Sequence, residues 1–197
     1  MRTVMLSGGL DSSVCLWWAL NESDDPIRAV FVNYGQRSLN FERAAARFVA
    51  DGEGIELIEV TTDAALIGGA SRLIGGRAPD DSTFFVPGRN LALMALTLMA
   101  VPDTTEILFG GGHQAALFPD STIPFGHTFE NAASQAFGHR VRVTMPLVGM
   151  SKKQIGNLAR RLNRGVQAEQ FTYTCFTGVM NGCGECPACI TRREAFA

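Results

Sequence analysis

Two clusters of residues carry the chemistry of this chain. Near its start, Leu6 to Ser13 reads "LSGGLDSS", with two adjacent glycines, an acid and three hydroxyls. A short apolar run precedes the stretch and a helical pattern follows, which puts it at a strand-to-helix turn. A helix N-terminus there offers unpaired N–H groups and a partial positive charge. Gly8 and Gly9 let the backbone approach phosphate oxygens, and Ser7, Ser12 and Ser13 add hydroxyl donors. Asp11 repels phosphate unless a cation stands between them, which points to Mg²⁺. The same residues also describe a Gly-Gly turn with Asp11 or Ser12 capping the helix, and the glycine pair alone favours that simpler reading. The loop lacks the Lys and spacing of GxxxxGK[ST] and the pattern GxGxxG, so it is neither a Walker A loop nor a dinucleotide fingerprint.

The second cluster is Cys175, Cys183, Cys186 and Cys189, spaced C-x7-C-x2-C-x2-C. Four thiolates in a loop-rich tail suit tetrahedral Zn²⁺, with Gly182 and Gly184 allowing a tight knuckle. Metal binding would then supply the folding energy of a tail with little apolar surface. An iron–sulfur cluster is the rival occupant, because C-x2-C-x2-C also occurs in ferredoxins. Cys15, between Val14 and Leu16 in the first helical stretch, reads as a core residue.

The elements that must position these clusters alternate. Thr3 to Leu6, Ile27 to Val32, Ile55 to Val60, Glu106 to Phe109 and Val141 to Thr144 read as strands. Between and after them, helices are expected over Ser12–Leu20, Phe41–Ala50, Leu91–Ala100 and Thr128–Phe137, and from Ser151. Phe41, Ala45, Phe48 and Val49 would share the buried side of the second helix. This rhythm predicts an α/β fold: a parallel five-stranded sheet with helices on both faces. Thr61 to Phe85, with four glycines and Pro79, has no clear period and reads as a long mobile excursion. From Glu169 the chain is cysteine-rich and without regular pattern, which predicts a main domain over 1–168 and a four-cysteine, zinc-binding tail over 169–197.

The bulk numbers fit such a domain. The chain has 197 residues, 46% hydrophobic and 18% charged, with a net charge of -2. No general basic footprint suggests nucleic-acid binding. The N-terminus does not read as a signal peptide. The longest apolar stretch, Leu91 to Val101, is too short to span a bilayer, so a cytoplasmic protein without a membrane partner is expected. The three histidines, His113, His127 and His139, read as surface or structural.

"SGGLDSS" resembles the SGGxDS loop of the N-type ATP pyrophosphatases, which adenylate a carboxylate, amide or base carbonyl and release pyrophosphate. Four further ordered blocks resemble the 7-cyano-7-deazaguanine synthase family, the QueC/ExsB-type enzymes of queuosine biosynthesis. They are "VNYGQR" (Val32–Arg37), "FVPGRN" (Phe85–Asn90), "PLVGMSKKQI" (Pro146–Ile155) and the tail "TCFTG…GCGECPAC" with Arg192. The resemblance covers nearly the whole chain. It implies a Rossmann-like, adenine nucleotide alpha hydrolase-like fold with a C-terminal zinc knuckle. It also implies ATP-dependent conversion of 7-carboxy-7-deazaguanine and ammonia to 7-cyano-7-deazaguanine through an acyl-adenylate and an amide.

By position in those blocks, Leu6, Ser7, Gly8, Gly9, Leu10, Asp11, Ser12, Ser13 and Gly110 would hold ATP. Ser7, Asp11 and Lys152 would be catalytic, Lys152 as a point charge on phosphate. Without its block, Lys152 reads as a solvated surface lysine. Gln36, Arg37, Arg89, Asn90, Phe118 and Asp120 would meet the substrate. Arg89 is equally suited to binding loop carbonyls, and Gln36 and Asn90 to bracing a loop. Structural Zn²⁺, Mg²⁺ with ATP, a small-molecule substrate and a homodimer complete the implied set.

The chain also departs from the family pattern. Ser38 stands where the family usually carries histidine, and Phe176 stands in place of tyrosine. "GGGHQAALFPD" alters the block after the fourth strand, although Phe118-Pro119-Asp120 is similar to the family's YPD. These changes fall on the substrate side. They keep open a QueC-like ligase that passes the activated acyl group to another amine, including one on a protein. Members of the wider group occur in antiviral defence cassettes. A nucleotide-binding module without turnover runs against the intact Asp11 and Lys152. A tRNA-modifying thiolase runs against the lack of a spare exposed cysteine.

Overall fold

The computed structural model describes residues 1–63, 86–111 and 118–197. The expected excursion beyond Asp63, Phe85, His113 and the altered "HQAAL" stretch lie outside the described residues. In chain order the elements are β1 (Arg2–Met5), α1 (Leu10–Glu22), β2 (Ile27–Asn33), α2 (Leu39–Gly52) and β3 (Leu57–Thr61). They continue with α3 (Arg89–Ala100), β4 (Glu106–Leu108), a 3-10 turn (Pro119–Ser121), α4 (Ile123–Phe137) and β5 (Arg142–Thr144). The chain ends with α5 (Lys152–Arg161), α6 (Gly165–Phe171) and α7 (Pro187–Phe196).

The five strands form one parallel sheet in the order β3-β2-β1-β4-β5. β1 is central and buried on both faces, with Val4 opposite Ala29 on one side and Leu108 on the other. Strand alternation sends Val4, Leu6, Ala29, Phe31 and Leu108 into the core shared with α1, α2, α5, α6 and α7. Met5 and Ile107 face α3 and α4, where Met94, Leu98, Phe129 and Ala133 cover them. Strand order reverses between β1 and β4, so a crevice opens there at the carboxyl ends of the strands.

The opposite, amino end of the sheet is closed by a buried polar network. Arg2 Nε lies 3.1 Å from Glu106 Oε2, the two side chains being 11% and 10% exposed. Arg2 also donates to the Ala19 carbonyl at 3.1 Å, and the Thr144 hydroxyl donates to Glu106 Oε1 at 2.5 Å. His139 is held between the Phe137 and Thr104 carbonyls, and His127 lies on the surface beside Glu130. Both are structural or surface residues, as expected.

Three local expectations change. α4 begins at Ile123 rather than Thr128, because Thr122 accepts from Phe125 N at 3.2 Å and Pro124 fits a first helical turn. Phe48 is 45% exposed and stacks on Phe171 instead of entering the core. The tail is not irregular: α7 starts at Pro187 directly after Cys186 and buries Ala195 in the main core. Gly156 makes that possible, since a Cβ there would lie 1.9 Å from the Ala195 carbonyl oxygen. No helix among the described residues is long and apolar enough to cross a membrane.

Candidate active site

The β1–α1 loop leaves the sheet at Leu6, whose N–H still donates to the Val30 carbonyl at 2.8 Å. Gly8 has φ +74°, and a Cβ there would lie 2.3 Å from the Glu42 carbonyl oxygen. Only glycine allows the loop to rest on α2 in this way. The serines stitch the loop together. Ser12 Oγ accepts from Ser7 N at 3.2 Å and donates to the Gly9 carbonyl at 3.1 Å, and the Ser7 and Ser12 hydroxyls are 3.0 Å apart. Gly9 takes the N-cap position of α1 with no side-chain cap, so neither Asp11 nor Ser12 plays the capping part that a plain turn would give it. The first-turn N–H groups of α1 therefore remain for an anion.

Asp11 instead meets Lys152, whose Nζ lies 2.6 and 2.5 Å from its two carboxylate oxygens. Lys152 opens α5, which Ser151 and Gln154 cap reciprocally. At 7% exposure it is not a solvated surface lysine. The two helix N-termini and the ammonium give this end of the crevice a positive field, with Asp11 as its counter-charge.

The crevice forms a cavity of about 420 Å³. Leu6, Ser7, Gly9, Leu10, Asp11 and Ser12 line it, with Gly110 and Lys152; Gly8 and Ser13 lie behind the wall. Gly110 also serves packing, because a Cβ there would lie 2.7 Å from the Asp11 carbonyl oxygen. Of the residues assigned to substrate, Gln36, Arg89, Asn90 and Phe118 line the cavity. Arg37 is exposed and outside it. Asp120 is buried behind it, accepting from Asn90 N at 2.9 Å and Asn90 Nδ2 at 3.2 Å, so this pair clamps the 3-10 turn onto the start of α3. Gln36 braces its own loop, accepting from Tyr34 N at 3.0 Å and donating to the Val32 carbonyl at 3.4 Å.

Of the other lining residues, Tyr34, Thr174, Phe176, Pro187 and Ala188 fall inside the sequence blocks quoted above without a site role assigned to them, and Glu42, Tyr173 and Thr191 fall outside those blocks. Tyr34 is buried, which pushes its phenol up to about 12, and Arg89 faces its hydroxyl. Glu42, from the first turn of α2, presents its carboxyl group in the same wall. Tyr173, Thr174, Phe176, Pro187, Ala188 and Thr191 of the tail complete the cavity. A lone acid or aromatic has no period of its own to mark it. The tail's approach depends on tertiary contacts.

Those contacts are specific. Tyr173 N donates to the Gly8 carbonyl at 2.9 Å and its ring stacks on Phe41. Arg192 donates to the hydroxyls of Thr172 and Thr174 and to the Ala168 and Glu169 carbonyls, fixing α7 to the end of α6. The four cysteine sulfurs lie within 4.8 Å of one another. Tetrahedral Zn²⁺ needs sulfurs about 3.8 Å apart for bonds of about 2.3 Å, and Cys183 and Cys189 stand 3.9 Å apart. The N–H groups of Cys183 and Cys186 donate to the Cys175 and Cys183 sulfurs, as thiolate ligands require. The donor set fits zinc, which would cross-link the tail. Cys15 is fully buried in the main core, where burial pushes its thiol up, away from reactivity.

A family model described as "Queuosine biosynthesis protein QueC" matches residues 2–197. The chain is similar to the 7-cyano-7-deazaguanine synthase of Laribacter hongkongensis, at 34% identity over 98% of this chain and 89% of the relative. It is similar to that of Aquifex aeolicus at 34% over 98% and 94%. The synthase of Methanothermobacter thermautotrophicus is 31% identical over 100% and 94%. Agreement of this extent reaches from the first strand through the cysteine tail, and the chain belongs to the QueC family of ATP-dependent PP-loop ligase-type enzymes.

Proposed function

We propose that the chain converts 7-carboxy-7-deazaguanine and ammonia to 7-cyano-7-deazaguanine at the expense of ATP. A substrate carboxylate oxygen attacks the α-phosphorus and pyrophosphate leaves. Ammonia then attacks the acyl carbon, loses a proton and expels AMP to give the amide. A second ATP activates the amide oxygen in the same way, and loss of AMP and protons leaves the nitrile. The observation that carries this reading is the Asp11–Lys152 pair on the cavity wall, beside the uncapped start of α1.

Ser7, Gly9, Ser12 and the first-turn N–H groups of α1 hold the departing pyrophosphate. Lys152 turns from Asp11 to the phosphates, and the freed Asp11 carboxylate would hold the Mg²⁺ that accompanies ATP, which would offset phosphate charge. Arg89 meets the substrate carboxylate, and Gln36, Asn90, Phe118 and Asp120 shape its surroundings. The tail from residue 169 acts as a structural Zn²⁺ unit in a cytoplasmic homodimer.

Ser38, in the place of the family's usual histidine and one turn before Glu42, favours a second reading. In it the activated acyl group passes to another amine, and the reaction stops at an amide. Incubation with ATP, Mg²⁺, ammonia and 7-carboxy-7-deazaguanine, followed by mass spectrometry, tests both. Nitrile is the expected product. Amide alone favours the second reading, and ATP binding without adenylate, amide or nitrile defeats both for this substrate. Metal analysis of the purified protein should find zinc and no iron–sulfur absorption.

A further inference from the structure

Glu42 is braced in a way the reaction above does not use. Its Oε1 accepts from the Ser38 hydroxyl at 2.6 Å and its Oε2 accepts from Gln36 Nε2 at 3.0 Å. Both donors are buried, and Gln36 is itself anchored to the backbone of Val32 and Tyr34. The carboxyl group is thus fixed in orientation. Among the described residues no lysine or arginine forms an ion pair with it, and Arg89 acts on it only through space. Burial raises its pKa despite both hydrogen bonds, as for a carboxylate still short of partners. A carboxylate has about four acceptor positions. Two are filled from behind, one on each oxygen, and the group lines the cavity.

We infer that Glu42 is a specificity-determining residue, whose braced carboxylate selects a ligand presenting two adjacent coplanar N–H donors, the edge of a 2-aminopyrimidin-4-one ring. Guanine-like bases carry that edge at N1–H and the 2-amino group. Adenine places a lone pair at N1 beside its amino group and would set that lone pair against the carboxylate. The selection therefore keeps the activating nucleotide's base off the acceptor's position in one shared cavity. The inference deepens the proposed function and rests on it for the acceptor's identity, but not for the recognised edge.

The test is equilibrium binding of guanine and of hypoxanthine, which lacks only the 2-amino group, to wild type, Glu42→Gln and Ser38→Ala, with ATP affinity measured alongside. Wild type should prefer guanine by about 10- to 100-fold, the worth of a hydrogen bond to a charged group. In Glu42→Gln the preference should collapse to within about threefold while ATP affinity holds, which also reports an intact fold. Ser38→Ala keeps the carboxylate and its brace from Gln36, and should keep the preference. Equal binding of the two bases by wild type overturns the inference. So does a preference that survives Glu42→Gln, or an equal loss of ATP and guanine affinity in that variant. A Glu42-dependent guanine preference without turnover of 7-carboxy-7-deazaguanine upholds the inference and defeats the proposed function. Turnover without base preference does the reverse.

Discussion

The two ends of the sheet each hold a buried acid–base pair, and they differ in what surrounds it. At the amino end, Glu106 meets Arg2, receives the Thr144 hydroxyl and lies 3.5 Å from Arg142, while Arg2 also serves the Ala19 carbonyl. The neighbouring protein satisfies both partners. At the carboxyl end, among the described residues, Asp11 and Lys152 have only each other as side-chain partners, and they line a cavity. Burial of an ion pair therefore does not mark function in this molecule. Function is marked where the pair can exchange its partner for a ligand.

The comparison can be broken by separating activity from stability. Lys152→Ala should lower pyrophosphate release by about 10²- to 10³-fold, with an unfolding midpoint close to wild type. A large loss of stability instead would make the carboxyl-end pair as structural as the other. Glu106→Ala should behave oppositely. It leaves Arg2 buried without its partner, costing about 3 to 5 kcal/mol in urea unfolding, while kcat of the folded fraction is unchanged.

Chelation of the tail metal should act on both quantities. It should lower the melting temperature and weaken ATP binding at least about fivefold, the worth of the Tyr173–Gly8 hydrogen bond. Calorimetry with and without chelator checks this, and unchanged ATP affinity would uncouple the tail from the loop.

The smallest effect concerns pH. Burial raises the folded-state pKa of Glu42 above its unfolded value, against the opposing hydrogen bonds from Ser38 and Gln36 and the field of Arg89. Its contribution to stability is complete below the unfolded pKa, about 4.3, and is lost as pH rises through the folded value. Urea melts between pH 4 and 8 should then show Glu42→Gln gaining on wild type as pH rises. A stability difference between the two that stays constant with pH would mean a fully compensated carboxylate.

What could be read from the sequence follows the same division. The loop, the sheet rhythm and the cysteine spacing were legible because each is local: contiguous residues, a period, a fixed interval. Lys152 became legible only through its block, since nothing within reach of it in sequence shows that it meets Asp11. That Glu42, Tyr34 and the tail share one wall was not legible, because segments far apart in sequence meet there. Gly8 and Gly110 were read as giving access to phosphate. The structure adds a packing demand to each, from α2 and from the first turn of α1. α7 was hidden because its cysteine and flanking Pro187 look like knuckle rather than helix, and its buried face shows only once Gly156 is seen to admit Ala195.

The hydrogen bond from Tyr173 to Gly8 also sets an order of events during synthesis. The phosphate loop leaves the ribosome before this anchor, which emerges more than 160 residues later. At cellular elongation rates the delay is on the order of ten seconds. For that interval the nascent chain carries the signature of an ATP site without the tail wall that completes it, so the finished cavity waits for the tail to be made.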